Sequence, residues 1–142
     1  MARTIESTIR FPYKRSLGPV LGAFMTALTE KRFIGIRSGA RVIVPPLEWD
    51  PDTGATLEHD FVDVGPAGTV TSWTWVAQPS SQHPLDHPFA FALVKLDGAD
   101  TPLLHALDCG SADQAQPGTR VKIRWAAETT GHLSDIECFE IA

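Results

Sequence analysis

Four positions in this chain have the spacing of a four-thiolate zinc site, a CxxC pair followed by a CPxCG-type pair. They hold Ile36, Gly39, Asp50 and Thr53. Only Asp50 carries a metal-ligating group, and one oxygen ligand does not hold structural zinc. No zinc or other metal is expected there. The segment between the pairs keeps a hydrophobic run into a Pro45-Pro46 hinge, and Asp50-Pro51-Asp52-Thr53-Gly54 follows.

Other residues could also do chemistry. His83, Asp86 and His87 fall within five residues, and two imidazoles with a carboxylate suit metal binding or proton transfer. Pro84 and Pro88 restrict the backbone there, and no third strong ligand is near in sequence. An exposed loop covering a barrel mouth is the plainer alternative. Arg120, Lys122 and Arg124 alternate along one strand face and suit phosphate oxygens, of coenzyme A or of a nucleic acid. A solvated strand face is the alternative. Trp73 and Trp75 share a face and could stack a base or an adenine ring, or simply pack. Cys109 and Cys138 have no base at nucleophile spacing, and His105, four residues before Cys109, is poorly placed to serve as one. No catalytic residue is assigned.

The elements that must position these groups follow from periodicity. Residues 1–15 are polar and extended in character, with Phe11 and Tyr13 as an aromatic anchor. Leu17, Val20, Leu21, Phe24, Met25 and Leu28 recur at helical spacing, with Pro19 at a first-turn position and Ser16 or Gly18 as cap. From Thr69 the period becomes two. Residues 69–76, 89–96, 103–107, 120–125 and 136–141 read as five strands, the last with a bulge. Turns at 97–100 and 116–119 separate three of them. One helix and five short strands without a βαβ crossover predict a mainly β chain built on a five-stranded OB-type barrel. The strand pattern alone leaves an SH3-like barrel open.

The 142 residues carry 43% hydrophobic residues and a formal net charge of -5. The size allows a real core, and the acidic balance argues against a dominant nucleic-acid role. Two cysteines do not make a disulfide framework, and no apolar signal or membrane-length run is present. A soluble cytoplasmic protein is expected.

Val42-Ile43-Val44-Pro45-Pro46, then Gly68 to Thr74, then Pro88 to Gly98 occur in an order similar to that of a known family. With these pieces the chain resembles the rubredoxin-like zinc-ribbon and OB-fold proteins that accompany thiolases. These are small acyl-CoA-associated proteins grouped as a domain of unknown function. The resemblance covers roughly residues 17–141. It implies three parts: an N-terminal arm and helix (1–35), a degenerate ribbon (36–60) and the barrel (61–142). It further implies a non-catalytic accessory subunit in a heteromeric complex with a thiolase-like or lipid-transfer-type thiolase partner, or an aldolase. The substrates implied are acyl-CoA thioesters, with sterol side chains or other lipids as the type, and the complex would hold the coenzyme A thioester. Arg120, Lys122, Arg124, Trp73 and Trp75 are the candidate coenzyme A contacts. Phe11, Tyr13, Phe24, Pro45, Pro46 and Trp49 are the candidate partner contacts. The alternatives are a partner of an enoyl-CoA hydratase, a single-strand nucleic-acid-binding OB module, and an enzyme using the His83–His87 loop.

Overall fold

The computed structural model describes residue 1 and residues 3–142. Helix α1 spans Gly18–Thr29. Pro19 sits in its first turn, where a missing N–H costs nothing. Leu17 is the N-cap without a side-chain cap, and the Gly18 N–H donates instead to Ser16 Oγ at 3.3 Å. Val20, Phe24, Ala27 and Leu28 form its buried face.

Three short strands follow that were not expected. β1 (Phe33–Ser38), β2 (Arg41–Ile43) and β3 (Phe61–Val64) form an antiparallel sheet in the order β2-β1-β3. β1 runs through the boundary drawn between residues 35 and 36. Phe33, Ile34 and Ile36 are all buried, so β1 lacks the polar alternation that marks a half-exposed strand. Gly35 is required for the sheet's close approach: a Cβ there would lie 2.7 Å from Val42 Cγ1 and 2.8 Å from the Ile43 carbonyl oxygen.

The five expected strands are present as β4 (Ala67–Val76), β5 (Phe89–Leu96), β6 (Leu103–Asp108), β7 (Arg120–Trp125) and β8 (Ile136–Ile141). They close a barrel in the order β4-β5-β6-β8-β7. β6 and β8 pair parallel, and the other neighbours pair antiparallel. That Greek-key order resolves the choice between barrels: the fold is mainly β with a five-stranded OB-type barrel. The expected bulge lies where Arg124 pairs with Cys138 and Trp125 with Ile136. One continuous core joins Phe24 and Leu28 of α1, Ile34, Val42 and Val64 of the small sheet, and Val70, Leu96, Val121 and Phe139 of the barrel. The helix and the small sheet are therefore packed on the barrel as one unit.

Candidate functional site

Segment 36–54 is built from two turns, and Asp50 ties them together. The first turn joins β1 to β2 through Gly39, whose φ of +59° is left-handed. The second runs from Asp50 to Gly54, closed by the Gly54 N–H donating to the Asp50 carbonyl at 2.9 Å. The Asp50 carboxylate is nearly buried and accepts from the Ser38 hydroxyl of the first turn. From the second turn it accepts the N–H groups of Asp52 and Thr53, each at 2.9 Å, and the Thr53 hydroxyl at 3.2 Å. Arg41 Nη2 adds a contact at 3.4 Å and pairs with Asp52 at 2.7 Å. The Ser38 hydroxyl, followed by the Thr53 and Asp52 N–H groups, holds the Asp50 carboxyl well below the usual carboxylate range. These residues do not fit a zinc ion. Ile36 and Gly39 offer no donor atom, and the single carboxylate is already saturated.

Beside this segment lies an open apolar cleft of about 390 Å³. Leu17, Val20 and Leu21 of the helix start form one wall, and Pro46, Leu47 and Trp49 form the other, with Arg15 and Glu48 among the lining residues. Trp49 is 57% exposed, and Leu17, Leu21 and Leu47 are also exposed. Among the candidate partner contacts, Phe11, Tyr13, Pro45 and Trp49 lie on the surface. Pro46 is buried against the chain while lining the cleft. Phe24 is a correction. It is 2% exposed and packs edge-on against Phe33 with ring centroids 5.1 Å apart, so it belongs to the core. Leu17 and Leu21 take its place at the surface. Helical spacing shows an apolar face without showing how much of it is covered.

The cationic strand is also corrected. Arg120 forms a two-pronged pair with Asp97 at 2.8 and 2.6 Å. Arg124 contacts Glu137 at 2.6 Å, Asp108 at 3.0 Å and Glu140 at 3.2 Å, while Lys122 lies 3.9 Å from Glu140. Carboxylates from the Asp97 turn and from β6 and β8 thus consume this face, which argues against an open phosphate clamp. Trp73 and Trp75 do share a face of β4, opposite Ala92 and Ala90. Both are half-buried against the core rather than presented as a stacking platform.

Residues 61–126 match the family model described as the ChsH2 C-terminal OB-fold domain. The barrel is therefore similar to the ChsH2 C-terminal OB-fold domain. No curated protein matches the chain. Among solved structures, a DUF35-family protein of unknown function from Sulfolobus solfataricus is similar at 18% identity, with a TM-score of 0.64 over 88% of this chain and 87% of that one. The Ltp2-ChsH2(DUF35) aldolase is similar at 22% identity, with a TM-score of 0.64 over 90% of this chain and 98% of that one. At these identities the shared property is the fold.

The remaining candidates on the barrel do not converge. The His83 ring packs edge-on against Phe89, and its Nδ1 accepts from the Ser80 N–H at 2.8 Å. His87 has other partners, with Nδ1 3.0 Å from Asp86 and Nε2 3.1 Å from Asp108. The Asp86 and Asp108 carboxylates raise its pKa. Leu85 pins the loop to Phe89, Ala106 and Cys138. His105 Nε2–H donates to the Ile136 carbonyl at 2.8 Å, and burial lowers its pKa. Burial pushes the Cys138 thiol up to about 11 and also raises Cys109, so neither is an activated nucleophile. Among the described residues no cluster of three or more His, Cys, Asp or Glu could hold a metal ion. No helix among them is long and apolar enough to cross a membrane.

Proposed function

We propose that this chain is a non-catalytic accessory subunit of a thiolase-like enzyme or aldolase that acts on acyl-CoA thioesters. The observation that carries the reading is the apolar cleft between the helix start and the Pro46–Trp49 segment. A 57% exposed tryptophan flanked by three exposed leucines is costly to leave in water and suits a protein interface. Support comes from the fold, which extends over 98% of a chain in the Ltp2-ChsH2(DUF35) aldolase. Further support is chemical: the histidines have separate partners, the thiols are held protonated, and the cations on β7 are paired. The partner would carry the nucleophile or base, and any bound coenzyme A thioester would belong to the complex. Sterol or other lipid side chains are the substrate type suggested by the family resemblance. Segment 36–54 then serves as a metal-independent docking element.

Co-expression with a thiolase-like enzyme from the same source tests the reading. The two should co-elute, and acyl-CoA turnover should depend on both. Separate elution with a partner fully active alone would sink it. The nucleic-acid alternative gains nothing from the barrel, because its strand cations are already neutralised by carboxylates.

A further inference from the structure

The charge of this chain is segregated. Residues 1–17 hold Arg3, Arg10, Lys14 and Arg15 against Glu6 alone, a formal +3. The remaining 125 residues hold eight Lys and Arg against sixteen Asp and Glu, a formal -8, which together give the net -5. In that body Arg32, Arg37, Arg41, Arg120, Lys122 and Arg124 are in ion pairs. None of the four arm cations is, among the described residues. The arm forms no helix or strand, and its described residues are exposed. It also displays Ile5, Ile9, Phe11 and Tyr13 at 72–82% exposure. It leads directly into Leu17, which lines the apolar cleft.

We infer that residues 3–16 are a recognition arm that lies on an acidic surface of the enzyme partner, seats Phe11 and Tyr13 in apolar sockets there, and continues the interface of the cleft. The inference rests on the subunit reading above. Aromatics flanked by cations, as in Arg10 to Arg15, fit carboxylates bordering apolar pockets, because each side-chain type then meets its complement. An anionic membrane or a nucleic acid is a weaker fit. Both are extended polyanions, and a body of -8 a few residues away would be repelled along their whole surface. A folded enzyme can present a local acidic patch without that penalty.

The test uses full-length chain and the co-expressed thiolase-like enzyme. Titration calorimetry compares wild type with R10E/K14E/R15E and with F11A/Y13A across about 50–300 mM salt, a range over which screening lengths fall severalfold. Charge reversal should weaken binding by about tenfold or more and flatten its salt dependence. The aromatic pair should cost about tenfold or more at every salt concentration. Both variants should melt with wild type, since the arm makes no core contacts. Unchanged affinity in both variants overturns the arm while leaving the subunit reading standing. Failure of wild type to bind removes both. Salt-sensitive self-association of wild type, or arm-dependent binding to phosphatidylserine vesicles or an oligonucleotide, also overturns the assignment.

Discussion

Replacing Trp49 by alanine tests whether the cleft is an interface. The indole is 57% exposed, so more than half of its surface is available to a partner. A tryptophan side chain offers up to about 250 Å². The available part is then about 140 Å², worth at most about 3.5 kcal/mol at about 25 cal/mol per Å². Imperfect seating reduces that figure, and central aromatic anchors commonly cost at least about 2 kcal/mol on truncation. W49A should therefore weaken partner binding by about 30- to 400-fold. Calorimetry with the co-expressed thiolase-like enzyme measures the loss, and a thermal melt of the free subunit reports any folding defect. Leu104 provides the control. It is 60% exposed on β6, on the barrel rather than in the cleft, and L104A should bind as wild type does. Binding by W49A within twofold of wild type would refute the argument. A loss confined to L104A would move the interface to the barrel.

Asp50→Asn should lower the melting temperature and flatten its acid dependence. A carboxyl held low in the fold contributes stability above its unfolded value of about 4, and that contribution is lost as pH falls through the folded value. Melts at pH 2–6 should show a steep decline in wild type and a shallower one in the variant. Gly68→Ala should destabilise the barrel by about 1–3 kcal/mol, the usual cost of forcing in a methyl group. Its Cβ would lie 2.7 Å from the Lys95 carbonyl oxygen and 2.8 Å from Val94 Cγ1, and denaturant melts would show the midpoint fall. His105 is neutral in the fold because burial lowers its pKa. The unfolded chain takes up its proton near pH 6.5, so this stability is present above that value and lost as pH falls towards the folded one. H105Q should remove that part of the slope in melts between pH 4 and 7.

The barrel was legible because four of its five strands alternate or run apolar between clear turns. Phe89–Leu96 is continuous and buried, and Val121 and Ile123 point inward from β7 as their alternation demands. The β2-β1-β3 sheet was not legible, because β2 has three residues and β1 is buried on both faces. The exposure of Phe11 and Tyr13 was legible from the polar arm around them, whereas Leu47 and Trp49, which the apolar run suggests as packing for the ribbon segment, are exposed. The fate of Arg120, Lys122 and Arg124 was not. Their carboxylate partners come from the paired strand β8 and, for Asp97 and Asp108, from parts of the barrel that only the strand order brings alongside. The burial of Phe24 was not legible for a related reason: a helix shows an apolar face in sequence, whereas its neighbours decide which part of that face stays wet.

The same distinction explains why segment 36–54 can keep its shape without metal. A four-thiolate site would supply on the order of 10 kcal/mol. Here Ile36, Val42, Ile43 and Val44 are each at most 6% exposed. At about 1.5–3 kcal/mol per buried side chain they supply about 6–12 kcal/mol, a comparable sum. Asp50 adds the directional part, because its hydrogen bonds fix the two turns relative to one another as a shared ion would. The stability of the segment is therefore internal, and its outward residues are not needed for it. Leu47 and Trp49 stay exposed on a part of the chain that is already rigid. Binding there would order little backbone, so most of the free energy of burying these two side chains would appear as affinity.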